Sequence, residues 1–220
     1  MADDSLPRVA TDAVIFTVIG GTPHVLLVQM KKKPFAGRWA FPGGVIGARE
    51  TTEAAARRIL RTQTGVTDAY LEQLGTFDAV DRDPLGRVVT VAWFALVPAA
   101  GVALKTTDRY ADVRWWPASR LPPLAYDHRA MARAALARVR AKLGYSNVAW
   151  SLLPKAFPLS DLQAAYEAFL GQALDKRNFL RKLLALGLVV PTGRRTAGCA
   201  HRPAALYRFA KRAPAFVDVL

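Results

Sequence analysis

The sequence predicts an α+β protein of two domains, one formed by residues 1–144 and the other by residues 145–220. In the first part, several apolar runs of strand length surround one amphipathic helical segment. In the second part, two short helical patterns precede two strand patterns, which is the element order of a winged helix-turn-helix. The run Gly144-Tyr145-Ser146 separates the two patterns and marks the predicted boundary.

The balance of charge indicates a polyanionic partner. Lys and Arg number 31 against 17 Asp and Glu in 220 residues, which gives a net charge of +14. Residues 145–220 hold 11 cationic and 4 acidic side chains, so this shorter part has nearly twice the charge density of the first. Such an excess favours nucleic acid over a membrane surface, although a generally arginine-rich proteome is an alternative explanation.

Cysteine usage and hydropathy exclude other classes of protein. Cys199 is the single cysteine, so neither an internal disulfide nor a multi-cysteine metal site is possible. The N-terminus lacks the basic and apolar regions of a signal peptide. The uncharged run 88–104 is shorter than the ~20 residues of a membrane helix and contains Pro98 and Gly101. We therefore expect a cytoplasmic protein.

A glycine loop that leads into a helix organises the first domain. The loop is Gly43–Glu50, Thr51 or Thr52 can cap the helix start, and Gly65 suits the left-handed position that ends it. Strands are predicted at 10–19, 25–30, 70–77, 87–97 and 113–117, and a last helix at 129–143.

This loop and helix resemble the Nudix box, which is Gly, five residues, Glu, seven residues, then Arg-Glu-apolar-x-Glu-Glu-x-Gly-apolar. The matching positions hold Gly44, Glu50, Arg58, Leu60, Gly65 and Val66. The preceding run Arg38-Trp39-x-x-Pro42-Gly43-Gly44 is the usual approach to such a box. The resemblance implies a Nudix-type α/β/α sandwich with a mixed sheet.

Three positions of the box lack the acids of an active Nudix enzyme. Ile59, Thr62 and Gln63 stand where the pattern has glutamates, and their i, i+3, i+4 spacing places them on one helix face. In active members that face carries the carboxylates for Mg²⁺, which neutralises a diphosphate and orients the attacking water. Glu50 and Glu53 remain and can recruit only a weakly held ion. We therefore predict no catalytic residues, no metal site and no cofactor.

The retained residues indicate a pocket for a phosphorylated effector. The segment from Phe77 to Val91 resembles Nudix proteins that accept ADP-ribose-like ligands. Arg82 and Arg87 can each hold phosphate oxygens two at a time, although salt bridges with Asp81 and Asp83 are the alternative. His128 either reaches the pocket or merely begins the next helix. The predicted effector-binding residues are Arg38, Trp39, Phe41, Gly43, Gly44, Glu50, Arg58, Arg82, Arg87 and His128.

The tail predicts a DNA reader. Ser160 with Gln163 forms a capping-box pattern at the start of one helix, and Asp175 can cap a second helix that Gly187 ends. On the second helix an apolar set faces inward, namely Phe179, Leu180, Leu183 and Leu184. A basic loop between two strands follows, and such a wing can place arginines on phosphate. The predicted DNA-binding residues are Lys176, Arg177, Asn178, Arg181 and Lys182 on the helix, and Arg194, Arg195 and Arg202 on the wing.

The tail from "SLLPKAFPLSDLQAAYEAFLG" through "LDKRNFLRKLLALGLV" to "RPAALYRF" resembles the C-terminal domain of the Nudix-related transcriptional regulators of NAD metabolism, the NrtR family. That resemblance implies a homodimeric repressor bound to a double-stranded DNA operator beside genes of NAD biosynthesis or salvage. It also implies release by ADP-ribose, although some relatives respond to sugar-derived effectors.

Two other functions compete with this interpretation. One is a Nudix pyrophosphohydrolase that acts on ADP-ribose-like nucleoside diphosphate derivatives and carries a basic appendage. The missing glutamates argue against it. The other is an RNA-binding module, whose usual aromatic platforms or KH-type loop are missing from the tail.

Overall fold

A mixed β-sheet forms the first domain in the computed structural model, which describes residues 6–100, 102–196, 203–217 and 219. The strand order is β3-β2-β1-β6-β5, with β4 paired to β1 and β7 paired to β2. Strands β1 and β6 run parallel, and the other pairs are antiparallel. The strands are Arg8–Ile19 (β1), Thr22–Met30 (β2), Trp39–Ala40 (β3), Gly43–Val45 (β4), Tyr70–Phe77 (β5), Val88–Leu96 (β6) and Tyr110–Pro117 (β7).

Strand β1 is buried on both faces because a helix covers each side of the sheet. Ala13 and Ile15 point to one side, where they pack with helix α1 (Thr52–Thr64). Val14 and Phe16 point to the other side, where helix α2 (His128–Tyr145) packs. This alternation is the period of two that a strand imposes, and it produces the predicted α/β/α sandwich.

Both predicted ends of α1 are confirmed. Thr51 is the N-cap, since its hydroxyl accepts a hydrogen bond from the backbone N–H of Ala54 at 3.1 Å. Gly65 ends the helix with a φ of 73°, a conformation that favours glycine, and its N–H donates to the Arg61 carbonyl.

The second domain has the predicted two helices and hairpin. Helices α3 (Leu159–Leu170) and α4 (Lys176–Ala185) precede strands β9 (Val189–Arg195) and β10 (Ala205–Phe209). A short strand β8 (Phe157–Pro158) pairs with β10, so that the sheet order is β8-β10-β9. A 3-10 helix at Val148–Leu152 connects this unit to α2.

Two details predicted for these helices are wrong. Helix α3 begins at Leu159 without a side-chain cap, because the Ser160 hydroxyl donates to Asp161 and the Gln163 amide donates to Glu167 and the Leu174 carbonyl. Leu184 does not face the core, since 41 % of it is exposed. The inward face of α4 consists of Phe179 and Leu183, which both belong to the core.

The two domains share one hydrophobic cluster. Phe16 of β1 makes an edge-on contact with Phe169 of α3, with ring centroids 5.7 Å apart. Ser151 joins them further, because its buried hydroxyl accepts the Tyr70 N–H at 2.7 Å and donates to the Leu96 carbonyl. Helix α2 ends at Tyr145, close to the start of the 3-10 helix. Within the described part of the chain, no helix has the length and apolar character needed to span a membrane.

Candidate functional site

A cavity of about 190 Å³ opens beside β4, between the loop 78–87 and the start of α2. Five of the predicted effector-binding residues line it, namely Phe41, Gly43, Gly44, Arg82 and His128. Other polar or aromatic residues that line it were not predicted: Arg8, Asp12, Asp83, Arg109, Tyr110 and Tyr126. The cavity therefore combines aromatic rings with several cations, which suits a ligand that has both a flat ring and phosphates.

Asp12 of β1 lies at the base of the cavity. Its Oδ2 atom accepts a hydrogen bond from the Thr90 hydroxyl at 2.9 Å, and the same oxygen lies 3.7 Å from His128 Nε2 and 3.6 Å from Arg82 Nη2. Burial raises the pKa of the Asp12 carboxyl, but His128, Thr90 and Arg82 together outweigh burial and hold that pKa below its usual value. The base of the cavity thus carries an ionised carboxylate among donors.

His128 both begins α2 and lines the cavity, so the two alternatives drawn from the sequence hold together. Its Nδ1 atom accepts the backbone N–H of Phe41 at 2.9 Å. Because Nδ1 acts as an acceptor, the proton of the neutral imidazole lies on Nε2, which faces Asp12. The ring also stacks on Phe41 with centroids 5.4 Å apart. His128 therefore fixes the distance between α2 and β3.

Arg82 is held by a carboxylate that the sequence did not suggest. Its Nε donates to Asp127 Oδ2 at 3.1 Å and its Nη2 donates to Asp127 Oδ1 at 2.8 Å, so the ion pair considered with Asp81 or Asp83 forms with Asp127. The side chain of Arg82 is only 3 % exposed. Burial lowers the pKa of the guanidinium, but the hydrogen bonds of Asp127 and the charge of Asp12 raise it further.

Gly43 is needed at its position because β1 passes very close to it. A Cβ atom there would lie 1.8 Å from Asp12 Oδ1 and 2.7 Å from the Thr11 carbonyl oxygen. The Gly43 carbonyl accepts hydrogen bonds from Arg109 Nη1 at 3.1 Å and from the Tyr110 hydroxyl at 3.2 Å. Strand β7 thereby closes one side of the cavity.

Glu50 and Arg58 lie away from the cavity lining and bind each other. Arg58 Nε donates to Glu50 Oε1 at 2.7 Å and Arg58 Nη2 donates to Oε2 at 2.9 Å. The Gly47 N–H also donates to Glu50 at 3.3 Å. These hydrogen bonds from Arg58 and Gly47 hold the pKa of Glu50 below its usual value. In this structure the pair braces the glycine loop against α1.

The other three predicted effector residues also lie outside the cavity lining. Trp39 is buried in the core, where its ring meets Trp116 edge-on at 5.2 Å. Arg87 Nη1 donates to the Asp78 and Ala79 carbonyls at 2.8 and 3.2 Å, which holds the loop 78–87 closed. Arg38 is exposed, and its backbone carbonyl accepts the Met30 N–H.

The box positions without glutamate do not form one exposed face. Ile59 packs in the core between α1 and the sheet, Gln63 is buried and Thr62 is exposed. No residue of α1 lines the cavity. Over the ranges that the structure describes, no three His, Cys, Asp or Glu side chains lie together as a metal site.

Helix α4 presents the predicted DNA-binding residues to solvent. Asp175 caps it, since its Oδ1 accepts the Asn178 N–H at 2.8 Å. Lys176, Arg177, Asn178 and Arg181 are exposed, Lys182 is half-buried, and Arg181 Nη2 donates to Asn178 Oδ1 at 2.7 Å. Phe179 and Leu183 anchor the opposite side of the helix in the core, so the cationic side faces outward.

The hairpin of β9 and β10 carries two of the three predicted wing arginines. Arg194 is exposed beside Gly193, whose φ is 73°. Arg195 lies across the hairpin, and its guanidinium donates to the Pro203 carbonyl at 2.7 and 3.1 Å. Arg202 and Cys199 lie outside the described residues.

A charged cavity joined to an exposed, cationic helix-turn-helix defines a ligand-sensing DNA-binding regulator. Residues 7–138 match the family model of the NUDIX domain, and residues 149–209 match that of the NrtR DNA-binding winged helix domain. The chain belongs to the NrtR family of Nudix-related transcriptional regulators.

Relatives and solved structures agree with this membership. The chain is 36 % identical over 214 residues to the ADPR responsive transcriptional repressor NtrR of Acinetobacter baylyi, covering 95 % of this chain and 84 % of that protein. The structure of Shewanella oneidensis NrtR complexed with a 27mer DNA matches with a TM-score of 0.81 and 34 % identity, over 93 % of this chain and 94 % of that one.

Two further matches concern the first domain. The NUDIX domain of Shewanella oneidensis NrtR complexed with ADP ribose matches with a TM-score of 0.55 and 35 % identity, over 61 % of this chain and 90 % of that one. The ADP-ribose pyrophosphatase of Methanocaldococcus jannaschii is 33 % identical over 122 residues, which cover 56 % of this chain and 69 % of that enzyme.

Proposed function

We propose that this chain is a homodimeric repressor of NAD biosynthesis or salvage genes, located in the cytoplasm, and that ADP-ribose releases it from its operator. The observation that supports the proposal is the packed connection between the two domains. The cavity and the recognition helix α4 belong to two domains, 1–144 and 145–220, that share one core and are connected through α2. A ligand that changes the start of α2 can therefore change where α4 points.

The chemistry of the cavity fits ADP-ribose. Arg8, Arg82 and Arg109 supply positive charge for a diphosphate, and Arg82 has the fork geometry that holds two oxygens. Phe41 and Tyr126 supply ring faces on which an adenine can stack. The related proteins named for ADPR response and crystallised with ADP ribose support this ligand.

Release requires that ADP-ribose binds the released arrangement more tightly than the DNA-bound one. We propose that the ligand changes the angle between domains across the dimer, so that the two recognition helices no longer match successive major grooves.

We further propose that the Nudix domain does not hydrolyse its ligand. Ile59 and Gln63 supply no carboxylate, and Glu50 is already bound by Arg58. Few of the residues that line the cavity are acidic, so we expect the site without ligand to bind no divalent ion. The proposed function needs no cofactor. The related pyrophosphatase makes hydrolysis the second candidate function. Release of AMP from ADP-ribose with Mg²⁺ would establish it.

The proposal can be tested by fluorescence anisotropy on a DNA duplex selected in vitro with this chain. We expect ADP-ribose to lower the anisotropy to that of free DNA, and NAD and ribose 5-phosphate to act only at far higher concentrations. Arg109→Ala removes a cation of the cavity and should raise the ADP-ribose concentration needed for release about tenfold. Arg57→Ala, which lies on the exposed side of α1 with Glu53, is the control. Unchanged binding at saturating ADP-ribose would refute the proposal.

A further inference from the structure

Asp127 directly precedes α2, yet its side chain does not cap that helix. An aspartate at this position usually accepts a backbone N–H from the first turn. Here both carboxylate oxygens accept hydrogen bonds from Arg82 instead, at 3.1 and 2.8 Å. In the first turn, the Ala130 and Met131 N–H groups donate to the Asp127 backbone carbonyl at 2.9 and 3.3 Å, and the His128 N–H donates to the Ala125 carbonyl at 3.4 Å.

Of the two partners, Arg82 and not Asp127 belongs to the cavity wall, although its side chain is only 3 % exposed. It lines the cavity, and its Nη2 atom lies 3.6 Å from Asp12 at the cavity base. A phosphate can present two oxygens to a guanidinium as a carboxylate does, and the diphosphate of ADP-ribose carries two negative charges in total. A phosphate that enters the cavity therefore competes with Asp127 for Arg82.

We propose that Asp127 and the effector phosphate exchange as partners of Arg82, and that the freed Asp127 then caps α2. The inference rests on the proposed function, because it explains how ligand binding in the cavity changes the start of α2. The freed carboxylate would lie at the positive end of the helix dipole, close to the backbone N–H groups of the first turn. Asp127 thus has a favourable partner in each of two states, which is what a two-state switch requires.

The surroundings of Asp127 suit a local rearrangement. The preceding residue, Tyr126, has a φ of 53°, which is an unfavourable backbone conformation for a tyrosine. Its ring lies beneath the Arg82 guanidinium, 5.9 Å away, and packs on Phe35 with centroids 4.4 Å apart. A rotation of the backbone at Asp127 would therefore also move the Tyr126 ring, which lines the cavity.

Helix α2 carries such a change to the DNA-binding domain. Arg140 on this helix donates from Nε to the Phe169 carbonyl of α3 at 2.7 Å. Val139 and Leu143 of α2 share the core with Tyr166 of α3. Tyr166 in turn packs edge-on against Phe179 of α4, with ring centroids 5.0 Å apart. Packed side chains therefore connect α2 to the recognition helix.

The rival explanation is that Asp127 only positions Arg82 for the ligand. The two explanations predict opposite signs for Asp127→Asn. Asparagine remains a good helix cap but is a poor partner for a guanidinium. If partners exchange, the substitution favours the released state, so ADP-ribose binds more tightly and DNA more weakly. If Asp127 only positions Arg82, ADP-ribose binds more weakly and DNA binding is unaffected.

The experiment measures ADP-ribose affinity by calorimetry and affinity for the selected DNA duplex by anisotropy, using the full chain. For Asp127→Asn we expect about tenfold tighter ADP-ribose binding and several-fold weaker DNA binding. Asp127→Ser, which can also cap but cannot pair with Arg82, should behave alike and replaces Asp127→Asn if that variant melts early. Asp127→Ala can neither cap the helix nor pair with Arg82, and it should show a smaller gain in ADP-ribose affinity than Asp127→Asn.

Asp83→Asn is the matched control, because Asp83 is a second carboxylate whose charge acts on Arg82, and its removal leaves the Arg82–Asp127 pair intact. An equal gain in Asp83→Asn would overturn the inference in favour of general electrostatics. Weaker ADP-ribose binding in Asp127→Asn would overturn it in favour of simple positioning. A wild-type chain that ignores ADP-ribose refutes the proposed function itself, whereas a responsive wild type with the opposite shift refutes the partner exchange alone.

Discussion

The two domains have the same net charge but arrange it differently. Residues 1–144 and 145–220 each carry +7. In the first domain five arginines pair with carboxylates, namely Arg57 with Glu53, Arg58 with Glu50, Arg82 with Asp127, Arg114 with Asp112 and Arg138 with Glu72. On α4, Lys176 and Arg177 are exposed and make no ion pair with any residue that the structure describes. The paired Arg82 forms part of the cavity wall, whereas the cations of α4 that make no ion pair remain available to DNA phosphates.

The shared core makes this difference useful. The hydrophobic cluster runs from Phe16 in the sheet to Phe179 in α4 without a break. A change at the cavity of the first domain can therefore move helix α4 of the second domain, although the two domains have different ligands.

The largest effect is expected where the paired region is most tightly built. Gly43→Ala would place a methyl group inside the contact distance of Asp12 Oδ1 and of the Thr11 carbonyl. Since one of these is backbone, β4 must move, and we expect a loss of about 3 kcal/mol in the free energy of unfolding. Urea unfolding followed by circular dichroism measures this loss.

Gly44→Ala is the matched substitution one residue further on. Its Cβ would lie 2.6 Å from Arg109 Nη1, which is the mobile end of an exposed side chain and can turn away. We expect a loss below about 1 kcal/mol. Equal losses for the two variants would show that the position of Asp12 does not control the architecture of the cavity.

A smaller effect is expected in the unpaired region, and it concerns DNA rather than stability. Arg177→Ala removes an exposed cation from the first turn of α4 and should weaken operator binding by about 1–3 kcal/mol. If Arg177 contacts phosphate only, the loss of affinity is the same for all DNA sequences. The slope of the logarithm of the binding constant against the logarithm of the salt concentration then decreases in magnitude by about one. Anisotropy titrations at several salt concentrations separate these outcomes.

Arg57→Ala tests the same residue type where it is paired. Arg57 Nη2 lies 2.7 Å from Glu53 Oε1 on the exposed side of α1. Operator affinity should stay within a factor of two, and stability should change by less than about 0.5 kcal/mol. If Arg57→Ala weakens DNA binding as much as Arg177→Ala, the contrast between the two domains is wrong.

Much of the fold could be predicted from local signals in the sequence. Thr51, Gly65 and Asp175 act at helix ends through contacts with their own neighbours, so their types suffice to place them. The capping box predicted from Ser160 and Gln163 does not form. The Gln163 amide donates instead to Glu167 and to the Leu174 carbonyl, and only the folded helix pair brings Leu174 close to it. Leu184 fits the helical period but lies beyond the edge of the small core.

The site was harder to predict because its residues meet only through the sheet. Arg109 reaches Gly43 because β7 pairs with β2, which no local pattern states. Asp12 did offer a signal, since it is an acid within an apolar run that forms a central strand. Arg82 was found by its residue type, whereas its partner Asp127 depends on where α2 begins.

The last expected effect concerns the ionic pairing at the cavity base, which can be recognised by its dependence on pH. Asp12→Asn keeps an acceptor for Thr90 but removes the charge that faces Arg82 and His128, and we expect a loss of about 1 kcal/mol at pH 7. Because the pKa of Asp12 is lowered in the folded state, its contribution is fully present above the unfolded value of about 3.9 and is lost as the pH falls further. The stability difference between the two proteins should therefore shrink below about pH 4. Asp175→Asn, at an exposed cap that asparagine also provides, should change stability little at any pH. An Asp12→Asn difference that stays constant from pH 3 to 7 would mean that hydrogen bonding alone, and not ionic pairing, holds the cavity base.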